Sequence, residues 1–179
     1  MNPIIKKSLI ILSVCQAQGQ GFWGNEFPEA KIEYSPKTYV CHKADKLILV
    51  DGKLNDEAWS NVQWTDSFVD IEGSLKPNPF YDTRAKMTWD DEYFYFGAYL
   101  EDPHVWASIT ARDAVVYKDN DFEIFLDPDG DTHNYYELEV NAFETEWDLI
   151  LLKPYHDADK VALDSWDIPG LISKVHVDG

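Results

Sequence analysis

Cysteine is scarce in this chain, whose 179 residues include only Cys15 and Cys41. Cys15 lies in an N-terminal segment that has the pattern of an export signal, so a mature chain would keep Cys41 alone. An internal disulfide is then excluded, and the sequence contains no CxxC pair that would indicate a cysteine metal site. For Cys41, the role of a small apolar residue near a strand is favoured over that of a nucleophile.

Basic residues are also few, with 15 Lys and Arg against 33 Asp and Glu and a net charge of −18. Binding to phosphate groups requires clustered Lys and Arg, so this balance argues against nucleic acid and anionic lipid as partners. It favours neutral ligands or cations.

Long apolar runs are missing, since no segment approaches the roughly 20 apolar residues of a transmembrane helix. The N-terminus has Lys6 and Lys7 followed by a short apolar run from Leu9 to Cys15, which predicts a secretory signal over residues 1–19. An ordinary N-terminal strand and a lipoprotein signal ending at Cys15 are the alternatives. We expect a leader over residues 20–38, one domain over residues 39–179, and a secreted, periplasmic or cell-surface monomer.

Long amphipathic helices are absent as well, and short strands separated by turn residues take their place. The pattern predicts a brief helix over Asp56–Asn61 and an Asp90-Asp91 hairpin turn. Strands are predicted at Lys46–Val50, Thr83–Trp89, Tyr93–Leu100, two within residues 119–141, Glu146–Lys153 and Leu171–Val177. Both faces of Tyr93–Leu100 are apolar, as in a central strand. This indicates an all-β fold, an antiparallel β-sandwich of jelly-roll type. A turn at Asp178-Gly179 without a return strand suggests C-terminal truncation.

The segment DNDFEIFLDPDGDTHNYYELEVN, residues 119–141, carries the main functional pattern. Apolar and polar residues alternate on both strands, which should bury one set and expose Glu123, Glu139 and Asn141 on one accessible face. Carboxylates, an amide and aromatic rings suit a sugar, because hydroxyls need polar partners and C–H faces need aromatic planes.

Aromatic residues make up 15% of the chain, more than a core of this size needs. Candidate stacking residues are Trp106, Tyr117 and Trp147, with Trp64 and Trp166 as further possibilities; each could instead pack inside the protein. Arg112 could bind hydroxyls, or could form an ion pair with Asp113 that holds the connection over residues 103–121.

The turn DPDGDTHN places Asp127, Asp129 and Asp131 at alternate positions. Hard oxygen donors spaced in this way can surround a calcium ion. The glycine position and Leu138 at position twelve exclude an EF-hand, and a plain Asp/Gly turn is the alternative.

Three successive segments resemble landmarks of carbohydrate-binding module family 9: LILVDGKLNDEAW, KMTWDDEYFYFGAYLEDPHVW and YKDNDFEIFLDPDGD. The resemblance runs from about Tyr39 to the last residue. It implies a sugar-binding β-sandwich with structural calcium and no catalysis. Glu123 occupies the position of the family's sugar-bonding glutamate, and Tyr117 that of one of two tryptophans that sandwich the sugar. Glu139 departs from the family, because it falls where characterised modules have a sugar-binding arginine.

Together these observations predict a non-catalytic module that targets a polysaccharide-degrading system to plant- or algal-type glycans. The predicted saccharide-binding residues are Trp106, Arg112, Tyr117, Glu123, Glu139, Asn141 and Trp147, and the predicted calcium ligands are Asp127, Asp129 and Asp131. Three alternatives remain. The chain could be part of a carbohydrate-active hydrolase with catalysis elsewhere, a haem-binding sandwich subunit with Met87 as axial ligand, or an interaction domain that recognises no sugar.

Overall fold

The computed structural model describes residues 35–155 and 161–178. The predicted signal over residues 1–19, with Cys15, and the leader up to residue 34 lie outside the described residues. Regular structure in the described part consists of strands β1 Thr83–Trp89, β2 Phe94–Leu100, β3 Asp121–Leu126, β4 Tyr135–Asn141, β5 Glu146–Leu151 and β6 Ala162–Leu163, with short 3-10 turns at Glu57–Trp59, Gly73–Leu75 and Val116–Lys118. The strands form two antiparallel sheets, which confirms the predicted all-β sandwich class.

The first sheet is the hairpin of β1 and β2, in register from Thr83 opposite Leu100 to Trp89 opposite Phe94. The Asp90 carboxylate closes the turn by accepting hydrogen bonds from the backbone N–H groups of Glu92 and Tyr93. Asp residues favour such turns because their side chain bonds to the backbone two or three residues on. The predicted Asp90-Asp91 turn is therefore confirmed.

The expectation that β2 is covered on both sides is wrong. Phe94, Tyr99 and Leu100 are exposed, and among the described residues β2 has only β1 as a hydrogen-bonded neighbour. Two of its aromatic residues contact each other: the rings of Phe94 and Phe96 lie edge to face, with their centroids 4.8 Å apart.

The second sheet has the order β3-β4-β5-β6. Opposed residues in neighbouring strands point to the same face. Glu123, Glu139 and Trp147 form one such row, whereas Ile124, Leu138 and Asp148 form a row on the other face. The carboxylates of β3 and β4 therefore share a face with an indole ring of β5.

Two predicted strands are not strands. Backbone groups of Lys46–Val50 are used in turn contacts, since the Leu49 N–H donates to the Asp56 carboxylate and the Leu49 carbonyl accepts from the Asp51 N–H. Residues 171–177 likewise bond to other groups: the Leu171 N–H donates to the Ile168 carbonyl and the Val175 N–H to the Glu144 carboxylate. Apolar alternation is present in both segments, but among the residues that the structure describes neither segment pairs with a strand.

The predicted helix over Asp56–Asn61 shortens to one 3-10 turn, Glu57–Trp59, whose Trp59 packs in a core cluster with Ile48 and Ala58. A second cluster consists of Leu149, Leu151 and Val161, and its Leu149 lies opposite Glu137 on the same face of the four-stranded sheet. In the described residues, no helix has both the length and the apolar character needed to cross a bilayer.

Candidate functional site

A pocket of about 410 Å³ opens on the polar face of the four-stranded sheet. Its floor is the sheet itself, and its walls come from the connection before β3 and from the chain after β5. The lining residues are Tyr117, Glu123, Glu137, Glu139, Trp147, Leu149, Tyr155, Ala162 and Asp164. Four of the predicted saccharide-binding residues therefore meet here: Tyr117, Glu123, Glu139 and Trp147.

Two aromatic rings form one side of the pocket. The Tyr117 and Trp147 rings lie 5.9 Å apart between centroids, at an interplanar angle of 37°, and the Tyr117 side chain is 57% exposed. The 3-10 turn Val116–Lys118 holds Tyr117 in place, because Val116 is fully buried and the Tyr117 N–H donates to Glu139 Oε2 at 2.8 Å. An exposed aromatic surface is thus fixed beside a carboxylate.

The carboxylate face of β4 is buried, which reverses the predicted orientation. Glu137, Glu139 and Asn141 are almost inaccessible, Glu139 being 1% exposed, whereas Leu138 and Val140 on the opposite face are only half-buried. The connection over residues 103–118 and the chain after β5 cover the polar side. Alternation correctly separated the two faces of β4 but assigned burial to the wrong one; on β3, Glu123 remains exposed as predicted.

Burial and mutual repulsion govern the charges of these carboxyl groups. Desolvation, followed by the neighbouring Asp121 charge, raises the pKa of Glu139 to about 8. Desolvation and the Glu123 charge raise the pKa of Asp121 to about 6. Desolvation also raises the pKa of Glu137, whose Oε2 accepts a hydrogen bond from the Tyr155 hydroxyl. Near neutral pH, the carboxyl group of Glu139 therefore favours its protonated form.

Asn141 lies outside the pocket and ties the long connection to the sheet. Its side-chain amide donates to the Ile109 carbonyl and to Asp119, and its Oδ1 accepts from the N–H groups of Phe143 and Thr145. A saccharide could reach this amide only by replacing those bonds. Its predicted sugar contact stays a prediction, while its packing role is visible in the contacts.

Arg112 also lies outside the pocket, at the centre of an ion-pair network. Its guanidinium bonds Glu146, Asp148 and Asp167, and the longer approach to Asp113 is 3.7 Å. Asp148 is fully buried and also accepts from the Ile168 N–H. The network joins the connection before β3 to β5 and to the segment after β6, so the ion-pair interpretation of Arg112 extends well beyond Asp113.

The other aromatic candidates are dispersed. Trp106 is 49% exposed on the connection and does not line the pocket. Trp166 stacks on Tyr136, with centroids 5.0 Å apart at 8°, and the Arg84 guanidinium lies over Trp64. Met87 is half-buried in β1, where its N–H donates to the Tyr39 hydroxyl.

The acidic turn brings its three aspartates together. Asp127, Asp129 and Asp131 each have an oxygen within 4.8 Å of the others. Asp127 accepts from the N–H groups of Thr132 and Gly130, and these bonds hold the pKa of its carboxyl below the usual value. The donor set is hard, anionic and spaced closely enough to fit calcium.

Sequence reasoning missed three polar residues of the pocket. Glu137 has a usable signal, because it lies two residues from Glu139 on the same strand face. Tyr155 and Asp164 had none: both lie in irregular chain beyond β5, and only tertiary folding brings them to the pocket.

Comparisons with known proteins agree with the geometry. The family model "Carbohydrate family 9 binding domain-like" matches residues 50–152. Endo-1,4-beta-xylanase A of Thermoanaerobacterium saccharolyticum is 30% identical over 100 residues, and Exoglucanase XynX of Acetivibrio thermocellus is 27% identical over 100 residues. Each alignment covers 56% of this chain and only 8% of the relative. No solved structure gives a significant match.

Proposed function

Since this chain belongs to the carbohydrate family 9 binding domain-like family, we propose that its pocket binds a saccharide without catalysing a reaction. The family match confirms the resemblance inferred from the sequence and includes the pocket residues from Tyr117 to Leu149. The ligand identity, the bound chain length and the role within a larger polysaccharide-degrading system are parts of the proposal.

The observation that carries the proposal is that an exposed tyrosine ring, a half-buried tryptophan ring and carboxyl groups line one cavity. Tyr117 and Trp147 offer ring surfaces for sugar C–H faces, and Glu123 offers an exposed acceptor for hydroxyl groups. The buried Glu139 acts mainly by holding the Tyr117 backbone. Few stacked rings and an open site correspond to a dissociation constant of about 10⁻³ to 10⁻⁵ M.

The test is calorimetric titration with soluble xylo-oligosaccharides and gluco-oligosaccharides. Trp147→Ala and Tyr117→Ala should each weaken binding about fivefold or more, because each stacked ring contributes on the order of 1 kcal/mol. Trp106→Ala is the matched control: it removes an exposed tryptophan outside the pocket and should leave affinity unchanged. Loss of binding in the Trp106 variant alone would place the site elsewhere.

A second assay addresses the enzymatic alternative. Release of reducing sugars by the purified chain from the same oligosaccharides would contradict a purely binding role. Retention on a glycan without such release is the expected result.

The predicted calcium site forms part of the proposal. Asp127, Asp129 and Asp131 would hold the ion, which would join their carboxylates and fix the β3–β4 turn. Calcium a hundredfold above its dissociation constant should stabilise the fold by about 2.7 kcal/mol. We expect a higher melting temperature in calcium than in chelator, an increase lost in Asp129→Asn and kept in Asp45→Asn. Equal melting temperatures in calcium and chelator would reject the site.

A further inference from the structure

We infer that the pocket selects amino sugars with a free, protonated amine over neutral sugars of the same length. This inference rests on the proposed function, because it names the class of saccharide that the same pocket prefers.

The charge of the pocket is the first argument. Its lining includes the carboxyl groups of Glu123, Glu137, Glu139 and Asp164, and none of the described residues that line it is Lys, Arg or His. A carboxyl-rich cavity with aromatic walls attracts cations and repels anionic sugars. Neutral hydroxyls gain only hydrogen bonds there, whereas an ammonium group gains hydrogen bonds and charge neutralisation.

The arrangement of oxygens is the second argument. Glu123 and Glu139, which line the pocket, and Asp121, which lies beside it, each have a carboxyl oxygen within 4.8 Å of the other two. Asp121 Oδ2 is buried without a hydrogen-bond partner. An ammonium group has three N–H donors, which matches three convergent acceptors.

A contrast within the same protein supports this reading. The cluster of Asp113, Asp148 and Asp167 also brings three carboxylates together, and there Arg112 supplies the compensating charge. The cluster of Asp121, Glu123 and Glu139 has no such cation, because the described residues that line the pocket include no Lys, Arg or His. Consistent with this, burial and carboxylate repulsion keep the pKa of Glu139 and that of Asp121 raised.

The indole of Trp147 favours a saccharide over a bare metal ion. Its Nε1 is buried and has no acceptor, although the ring lines the pocket. A metal ion cannot accept a hydrogen bond, whereas a hydroxyl or ring oxygen of a sugar can. The ring faces of Trp147 and Tyr117 can also attract a cationic ligand.

The experiment compares three ligands of equal length: a β-1,4-linked glucosamine trimer, its N-acetylated form and the glucose trimer. Titrations are run in calcium and in chelator at several pH values from mildly acid to neutral, because the ligand amine must be protonated while the pocket carboxyl groups, whose pKa values are raised, must be able to ionise. The glucosamine trimer should bind at least about tenfold more tightly than either neutral trimer. Raising salt from about 20 mM to about 500 mM should reduce that preference severalfold, because screening weakens ionic contacts.

Glu123→Gln replaces one exposed carboxylate of the cluster with a neutral amide of the same size, so the preference should fall to below about threefold. Glu92→Gln makes the same charge change in the hairpin turn, outside the pocket, and should preserve the preference. A preference that survives Glu123→Gln would reflect attraction to the net charge of −18 and would overturn the inference. Binding by Asp129→Asn that is present in calcium but disappears in chelator would indicate a metal ion in the pocket and would overturn it as well.

The remaining outcomes separate this inference from the proposed function. Equal affinities for the three trimers, all lost in Trp147→Ala, would reject amino-sugar selection and leave saccharide binding intact. Failure of every trimer and of the xylo- and gluco-oligosaccharides to bind would reject the proposed function itself.

Discussion

At the scale of single residues, Glu139 best illustrates how position changes chemistry. It is a strand glutamate in the sequence, yet it lies almost fully buried, bonded to the Tyr117 N–H and faced by Asp121, Glu123 and Glu137, with Tyr155 nearby. Desolvation and these charges raise its pKa from the ordinary 4.5 to about 8. The folded protein therefore retains a proton on Glu139 that the unfolded chain has lost.

This proton makes stability depend on pH. Between pH 4.5 and about 8, the folded state binds more protons at Glu139 than the unfolded state, so stability falls as pH rises through that window. Glu139→Gln should remove this fall and raise the free energy of unfolding by on the order of 2 kcal/mol above pH 8. Urea denaturation from mildly acid to alkaline pH measures it.

Asp121 gives a similar fall at lower pH, since its pKa rises from 3.8 to about 6. The comparison between Glu139→Gln and the wild type is therefore most specific above pH 6. Glu92→Gln, an exposed glutamate in a turn, should leave the profile unchanged. An unaltered slope in Glu139→Gln above pH 6 would show that Glu139 is ionised in the folded protein.

At the scale of elements, Arg112 connects parts of the chain that are far apart in sequence. It bonds Glu146 and Asp148 on β5 and Asp167 beyond β6, while Asp148 accepts from the Ile168 N–H. The segment after β6 is thus attached to the sheet largely by polar contacts at this point. The strand that precedes this segment, β6, is short and pairs with β5 at only two positions.

Arg112→Gln should destabilise the protein by about 1–3 kcal/mol, because it leaves the buried Asp148 carboxylate without its cation. Hydrogen exchange at the Ile168 amide should accelerate at the same time. Adding Asp148→Asn should restore part of the loss, since the two changes act on one network. Lys37→Gln breaks an exposed pair with Asp66 and should cost less than about 1 kcal/mol. Similar losses for Arg112→Gln and Lys37→Gln would reject the linking role.

At the scale of the whole molecule, the excess of acidic residues is handled in three ways. Arg112 neutralises one carboxylate cluster, and backbone N–H groups stabilise Asp127 in the acidic turn. In the third cluster, Glu123 and Glu139 line the pocket with Asp121 beside them, and burial and repulsion favour protonation. The three clusters of acidic residues therefore differ in how their negative charge is compensated.

The same scale explains why a family could be recognised before the site could be described. The match over residues 50–152 includes β1 to β5, whose alternating patterns are local and readable. Tyr155, Ala162 and Asp164 complete the pocket from outside that range. Pocket shape and charge therefore depend on chain that the family landmarks do not include.

The sequence alone determined the hairpin of β1 and β2, the two strands within residues 119–141 and the extent of β5 to within two residues, because alternation and Asp turns act between near neighbours. Only the tertiary structure decided which face of β4 is covered, because that depends on where residues 103–118 and the chain after β5 settle. It also decided that Asn141 and Arg112 fasten the fold, since their partners Ile109, Asp119, Asp148 and Asp167 are non-local. The positions of strands depend on residues that are close in sequence. Burial and charge compensation depend on contacts between segments that are far apart in sequence.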